Sequence, residues 1–469
     1  MTSMIPEITK PGIEEKSREE LIALIHDLLA EIERLKGGRT NSRNSSQPPS
    51  RDYKADVTKK RKRHKKVGAK EGHKKEERSL VDNPNKVIEV WAESCPRCRV
   101  NLLDCAPERT IRRQVTELPE IKPVVIETRQ HEVRCPCCNQ LQRGKLPDGL
   151  EAGRQLGPRL EASITSLPHE HHMGFERVVQ VCEEIFGITL SKGGAVSIVE
   201  RAGKAAEHEA EAIGEQVRQS KVIGSDETSS RVHGRNWWEW VFVGANCEYH
   251  LIVPSRGQDV IETFMRECEA EVWVCDCWKA QLNAPAKVCQ ICLSHQIRNL
   301  QGLIEKRPRL QWAQDMQTLF RKAIHLGKRR AQLTEAGFTR QVTILEKRLK
   351  QLLQRTFRGL GANLLKRYRK YRDSLFVFLQ RADVPAHNNA CERALRPSVI
   401  HRKVMGSFRS NWGAQGYAAL ATVLNTAKRH GQSTFQKLVA LMGQPVLPFI
   451  ESTVWPDTKI ALLFFVPCI

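Results

Sequence analysis

Residues 221–228 read Lys-Val-Ile-Gly-Ser-Asp-Glu-Thr, and residues 271–276 read Glu-Val-Trp-Val-Cys-Asp. Each is a short run of β-forming apolar residues closed by a carboxylate, which predicts two strands that end near Asp226 and Asp276. Two strands and a helix are predicted between these runs, at Asn236–Val243, Cys247–Val253 and about Asp259–Glu269. This part of the chain therefore predicts a mixed core of strands and helices.

A third acidic residue lies in a different local context. Residues 387–393 read His-Asn-Asn-Ala-Cys-Glu-Arg and open a helix-like, arginine-rich stretch that contains Glu392. A folded domain could gather Asp226, Asp276 and Glu392 at one edge of a sheet. Three converging carboxylates in a basic protein predict a site for two magnesium ions that acts on the phosphates of nucleic acid. Each carboxylate taken alone could instead be a solvated charge or a cap at a strand end.

Composition favours a nucleic-acid partner. The chain has 75 Lys and Arg against 53 Asp and Glu, a formal net charge of +22, so a polyanion or counterions must neutralise it. Its 469 residues leave room for two or three domains. No signal peptide and no apolar run long enough to cross a bilayer is visible, so we expect a cytoplasmic protein. The 15 cysteines, several in CxxC pairs, predict reduced thiols and metal ligands rather than disulfides.

Two N-terminal segments differ sharply in character. Residues 11–36 place apolar side chains at alternating four- and three-residue steps, the seam of a short coiled coil, at Leu21, Ile25, Leu28, Ile32 and Leu35. Such a seam predicts self-association, although an amphipathic helix packed on its own chain would show the same pattern. Residues 37–80 are polar and then strongly basic, which predicts a disordered linker that contacts phosphates or, alternatively, a solvated spacer.

A zinc ribbon is predicted over residues 88–145. Two CxxC knuckles, separated by a stretch from Thr110 to Val133 that looks rich in strands, would supply the four thiolates of a closed structural zinc site, Cys95, Cys98, Cys135 and Cys138. Cys105 and Cys137 are possible substitutes among the ligands. Free buried cysteines are the alternative.

A helix-turn-helix that binds DNA is predicted over residues 155–205. A helix with an apolar face runs from Phe175 to Phe186, Gly187 stops it, and Ser191 is the predicted N-cap of a second helix that continues through Glu200. In that arrangement Lys192 and Ser197 would face the major groove. A small helical hairpin that serves only as a packing unit would give the same pattern.

The segment from Lys221 onward resembles a ribonuclease-H-like core, and its motifs look like those of the DDE transposases of the insertion-sequence sixty-six family. The likeness rests on Asp226-Glu227-Thr228, on Asp276 followed by Cys292-Leu293-Ser294-His295-Gln296-Ile297-Arg298, on Asn388-Asn389-Ala390-Cys391-Glu392-Arg393-Ala394-Leu395-Arg396, and on Arg402-Lys403 with Gly406-Ser407. That family also carries a coiled coil, a polar linker, a zinc ribbon and a helix-turn-helix in this order. The resemblance covers about residues 15–445.

The resemblance implies a multidomain α+β protein whose α/β catalytic core spans residues 218–435, with a helical insertion at about 300–380 and a C-terminal tail at 436–469. It implies DNA cleavage and strand transfer with two magnesium ions, where Asp226 would bridge both ions and Asp276 and Glu392 would each hold one. Four basic residues would contact DNA phosphates, unless they are simple surface charge: Arg393, Arg396, Arg402 and Lys403. Glu227 is a weaker candidate because alternation along a strand turns it to the opposite face.

Several further expectations follow from the same resemblance. The protein would bind transposon ends and target DNA, form a homodimer or higher oligomer, and possibly use helper proteins encoded by the same element. The insertion could bind transposon ends or a second subunit, or only cover the site. A second zinc site is conceivable at Cys275, Cys277, Cys289, Cys292 and His295, although core packing explains these residues more simply. Family members commonly have Gly-Tyr where this chain has Cys277-Trp278. The rival function is a DNA-binding regulator or accessory protein with a decayed catalytic core.

Overall fold

A computed structural model describes residues 78–146 and 153–443 of the chain. The predicted coiled coil, residues 37–77 of the predicted linker and residues 444–469 of the tail lie outside the described residues. No described helix is both long enough and apolar enough to cross a membrane. The described residues fall into two compact units, and the boundary along the chain lies between Pro123 and Val124. Each unit is described by itself.

The first unit contains the first cysteine pair and no helix or strand among residues 78–123. Strands were predicted from Thr110 to Val133, but only Glu132 and Val133 lie in one, so this prediction was wrong. Alternation of apolar and polar residues makes a strand only where a partner strand and a buried face are available. Here Val115 is 92% exposed and Leu118 is 80% exposed.

The second unit begins with a short antiparallel hairpin and three helices. The hairpin pairs β1 (Glu132–Arg134) with β2 (Leu141–Arg143), and the helices are α1 (Pro158–His169), α2 (Phe175–Glu184) and α3 (Lys192–Arg218). The N-cap prediction is confirmed, since the Ser191 hydroxyl accepts a hydrogen bond from the Gly194 amide.

Helix α3 is longer than predicted. It continues past Glu200 to Arg218, because the sequence offers no proline or capping turn there and an alanine-rich face is buried along it, at Ala195, Ala202, Ala206 and Ala210. An added Cβ at Gly203 would lie 2.7 Å from the Gly416 Cα, so the two glycines allow two helices to cross closely. Helix α3 thus packs into the main core, and its role in a helix-turn-helix stays a prediction.

A five-stranded mixed sheet forms the centre of this unit. In chain order its strands are β3 (Val222–Val232), β4 (Arg235–Val243), β5 (Glu248–Val253), β6 (Ala270–Cys275) and β7 (Ala286–Ile291). Along the chain, helix α4 (Gln258–Met265) lies between β5 and β6, and helix α5 (Lys279–Leu282) lies between β6 and β7. The spatial order is β5-β4-β3-β6-β7. Strand β4 is antiparallel to β3 and β5, whereas β3, β6 and β7 run parallel.

A helical segment follows the sheet, as predicted. It contains α6 (Leu293–Lys306), α7 (Gln311–Lys328), α8 (Glu335–Gln354), α9 (Ala362–Lys370) and α10 (Val377–Gln380). Their apolar side chains form one cluster that includes Val272 and Val274 of β6, so the segment rests on one face of the sheet. The chain then forms α11 (Asn389–Met405), α12 (Asn411–Arg429) and α13 (Thr434–Met442). The other face of the sheet buries Trp240, Phe242 and Trp273.

Helix α12 covers the edge strand β5. The backbone amides of Glu248 and His250 point away from the sheet and donate instead to the hydroxyls of Thr426 and Thr422, at 3.2 and 2.9 Å respectively. These bonds satisfy backbone donors that would otherwise be left without partners.

A buried charged cluster, which we call the His250 cluster, ties the sheet to α11 and α12. The His250 ring lies between two glutamates, with Nδ1 3.0 Å from Glu239 Oε1 and Nε2 3.2 Å from Glu248 Oε1. Arg429 of α12 donates to Glu248, and the Ser398 hydroxyl of α11 donates to Glu239. Burial alone would lower the pKa of His250, but the hydrogen bonds that its ring makes to both glutamates outweigh this effect and raise the pKa to about 9.

Candidate active site

Strands β3 and β6 bring the two predicted aspartates to one edge of the sheet. Their parallel register pairs residues 50 positions apart along the chain, with Gly224 opposite Val274. The same spacing separates Asp226, which lies within β3, from Asp276, which directly follows the last residue of β6, so the register directs both toward one place. Alternation then turns the Asp226 side chain toward the face that α6 and α11 cover.

Gly224 allows the helix that carries Glu392 to approach β3. A Cβ at this position would lie 2.9 Å from Cys391 Sγ and 3.1 Å from Asn388 Oδ1, closer than real side chains pack. Asn388 also donates through Nδ2 to the Ser225 carbonyl oxygen at 2.6 Å. The N-terminus of α11 is therefore fixed against the strand two residues before Asp226.

Glu392, in the first turn of α11, pairs with helix α6. Its Oε1 lies 3.0 Å from a terminal guanidinium nitrogen of Arg298 and 3.6 Å from His295 Nε2. Burial and the Arg298 charge lower the pKa of His295, so its ring is neutral at pH 7. Neither Arg298 nor His295 was predicted to contact Glu392, although both lie in the motif of residues 292–298 that follows Asp276.

The electrostatic effect of the neighbouring carboxylates is seen at Asp226. Burial raises the pKa of Asp226 well above its usual range, and the charges of Glu227, Asp276 and Glu392 raise it further. In the described ranges, however, no three side chains of the His, Cys, Asp and Glu types lie close enough together to hold a metal ion. Glu392 is held by Arg298, and Asp276 accepts the Trp278 amide through Oδ1 at 2.8 Å.

Glu227 lies on the opposite side of β3, as strand alternation predicts. Its side chain is 2% exposed and accepts from Nε and a terminal nitrogen of Arg256 at 2.9 and 2.7 Å. Gln281 donates to its other oxygen. This carboxylate is thus engaged with a cation of its own.

The two CxxC knuckles share one local geometry. In each, the carbonyl oxygen of the first cysteine accepts a hydrogen bond from the backbone amide four residues later, that of Arg99 or Asn139. Both of these residues have left-handed backbone conformations, with φ of 61° and 58°. Backbone amides of Cys98 and Cys138 lower the pKa of Cys95 and Cys135, respectively. Amides directed at sulfur favour the thiolate, which is the form that binds zinc.

Comparison with protein families identifies the chain. A model described as transposase IS66 family matches residues 153–416, more than half of the sequence. The chain belongs to the IS66 transposase family. A second model, the zinc-finger binding domain of IS66 transposases, matches residues 92–139 and so includes both knuckles.

The chain is also similar to a protein of Sinorhizobium fredii described as uncharacterized protein y4jO. It is 34% identical over 88 residues, which is 18% of this chain and 27% of the relative. The chain therefore spans about a quarter of that relative's length.

In this IS66 member the predicted DNA-contacting residues are exposed to different degrees. Arg393, Arg396 and Lys403 of α11 are exposed, whereas Arg402 is half-buried and donates to the Ser229 hydroxyl at 3.0 Å. Arg393 and Arg396 line a cavity of about 330 Å³ between α11, α12 and the end of α1.

The predicted residues of the helix-turn-helix, Lys192 and Ser197, are both exposed, and Lys192 donates to Glu176 of α2 at 2.8 Å. For all six predicted residues, a role in DNA binding stays a prediction.

The cysteines near Asp276 form packing contacts. Cys275 Sγ and Cys289 Sγ lie 3.2 Å apart on neighbouring strands, and Cys292 Sγ accepts the Asn388 amide. Cys289 lies in β7 and His295 lies in α6, so the residues of the conceivable second zinc site belong to different elements. Cys277 has a φ of 87°, in the region that favours glycine, the residue that the family resemblance leads one to expect there.

Proposed function

We propose that the protein is a DNA transposase that binds the ends of its element and catalyses metal-dependent strand cleavage and strand transfer. The observation that supports the proposal is the register of β3 and β6, which pairs Gly224 with Val274 and, continued by two positions, would set Asp226 beside Asp276, next to the docked helix that bears Glu392. The strand order, in which β4 alone runs antiparallel to the other four strands of the sheet, supports a ribonuclease-H-like core.

The donor set fits magnesium. Oxygen ligands are the kind that Mg²⁺ prefers, and the mutual repulsion at Asp226 is the condition that a divalent cation would relieve. Asp226, Asp276 and Glu392 would hold the two ions, with Asp226 shared. When bound, the ions would supply an activated nucleophile and a neutralised leaving oxygen.

The chain's own residues supply orientation and charge. Arg298 balances Glu392 before DNA arrives, and it would be free to contact a phosphate once Glu392 turns toward its partners. The exposed Arg393, Arg396 and Lys403 follow Glu392 on the same helix, so they would hold the strand along α11. Lys192 and Ser197 would contact the element's ends through the predicted helix-turn-helix.

Zinc would serve the fold. Cys95 and Cys98 would supply two thiolates and Cys135 and Cys138 the other two, which fits the amide-stabilised first cysteine of each knuckle. Removal of zinc is expected to unfold the ribbon and to reduce DNA binding without changing the residues that carry the chemistry.

The proposal is tested with linear DNA that carries the terminal sequences flanking the gene. In magnesium, the unaltered protein should cleave and join these ends, and Asp226→Asn or Asp276→Asn should lower the rate by at least about a hundredfold. Both variants should still bind the DNA. Glu346→Gln, which removes an exposed carboxylate from α8, is the matched control and should cleave normally.

Absence of cleavage by the unaltered protein, together with retained binding to the ends, would overturn the proposal. That outcome would support the rival function, a DNA-binding regulator with a decayed core.

A further inference from the structure

An exposed tryptophan lies beside the proposed active site. Trp278 follows Asp276 by two residues, and its backbone amide donates to Asp276 Oδ1 at 2.8 Å. Its side chain is 41% exposed, which is unusual for so large an aromatic group outside a binding surface. The backbone that carries the indole is therefore tied to the Asp276 carboxylate.

The indole does not stand alone. The Arg256 guanidinium lies 4.2 Å from the centre of the Trp278 ring and 4.5 Å from the centre of the Trp238 ring. Glu227 fixes the same guanidinium through two hydrogen bonds to one oxygen. Three flat groups thus form a layered arrangement that is held in place before any ligand binds.

Charge alone does not explain this arrangement. Glu227 neutralises Arg256, so the layered groups attract a polyanion less than free arginines would. What they offer instead is a rigid, partly exposed aromatic surface beside the reacting groups. Indole rings and guanidinium planes are the groups on which proteins stack unpaired bases.

We propose that Trp278, supported by Arg256 and Trp238, stacks on an unpaired nucleobase of the DNA strand that enters beside Asp276. The idea rests on the proposed function, because it takes the ligand to be DNA. It assigns to Trp278 a role in holding an opened strand end, a role that family membership does not supply.

A second tryptophan provides a matched control. Trp412, at the start of α12, is 38% exposed, nearly the same as Trp278. Within the described residues it contacts no aromatic ring and no cation. Loss of Trp412 therefore removes an equally exposed indole without removing a stacked surface.

The test measures binding to two probes by fluorescence anisotropy, a 20-nucleotide single strand of deoxythymidine and a 20-base-pair duplex. The buffer contains no divalent cation and no chelator, since a chelator would remove zinc. Trp278→Ala should weaken single-strand binding about tenfold and duplex binding less than about twofold, because stacking acts on unpaired bases. Trp278→Phe should restore part of the loss, and Trp412→Ala should change neither affinity.

Two further measurements separate stacking from a folding defect. Arg256→Lys keeps the charge and removes the flat guanidinium, so it should also weaken single-strand binding while leaving thermal unfolding close to that of the unaltered protein. Single-strand binding should quench the protein's tryptophan emission, and Trp278→Phe should remove that quenching.

Equal losses for Trp278→Ala and Trp412→Ala, or equal losses on single strand and duplex, would overturn the inference. Because binding is measured without magnesium, a failure here with intact cleavage removes only the stacking role. Failure of cleavage with preserved stacking removes only the proposed enzyme.

Discussion

Two acidic clusters lie on the same sheet and differ in what surrounds their most buried groups. In the His250 cluster, Glu239 and Glu248 flank a protonated ring, and the pKa of that ring rises to about 9. In the proposed active site Glu392 pairs with Arg298, whereas burial and neighbouring negative charges raise the pKa of Asp226. The charges of the first cluster stabilise the fold, whereas the surroundings of Asp226 disfavour its ionised form.

The largest expected effect comes from removing the cation of the balanced cluster. His250→Gln leaves the buried Glu239 carboxylate without its cationic partner, while Glu248 keeps Arg429, and this should lower the free energy of unfolding by about 3–5 kcal/mol in chemical denaturation. His208→Gln on the exposed side of α3 is the control and should have no effect. A His250→Gln protein as stable as the control would remove the distinction between the clusters.

The same cluster should make stability depend on pH. The pKa of His250 is raised from 6.5 to about 9 by folding, so its contribution is complete below pH 6.5 and is lost as pH rises through about 9. Unfolding measured from pH 6 to pH 10 should show a decline of about 3 kcal/mol over that range. A decline of the same size in His250→Gln would assign the effect to other groups.

A smaller effect is expected where the third carboxylate is attached. Gly224→Ala places a Cβ against Cys391 and Asn388, which should displace the start of α11, destabilise the protein by about 1–3 kcal/mol and reduce cleavage. Gly193→Ala, whose Cβ would have no neighbour nearer than 3.9 Å, is the control. Adding Cys391→Ala to Gly224→Ala should restore part of the stability, and a lack of any rescue would argue against this contact.

The smallest effect has the opposite sign. Asp226→Asn removes a buried charge that repels its neighbours, so without magnesium it should stabilise the protein by about 1 kcal/mol while abolishing cleavage. Magnesium should raise the melting temperature of the unaltered protein and not of the variant. Destabilisation by Asp226→Asn in the absence of magnesium would mean that this carboxylate is balanced after all.

Local patterns predicted the existence of strands β3 to β6, because each contains a compact apolar run. The prediction that the first strand ends near Asp226 was wrong, since β3 continues to Val232 through its pairing with β4. Strand β7 was missed, since Lys287 and Gln290 interrupt its apolar pattern and Gln290 is buried for a tertiary reason, its bonds to Leu375 and Phe378. The pairing of Glu392 with Arg298 joins residues 94 positions apart and leaves no local signal. The layered Trp278 and Arg256 likewise depend on loops that meet only in the fold.

The threonine hydroxyls that receive the β5 amides have a consequence for assembly. With those donors already satisfied by α12, this border of the sheet has no free amides at Glu248 and His250 with which to recruit a strand from another molecule. A strand from another molecule therefore cannot pair with these two amides, so the described sheet is closed by its own chain along this part of β5.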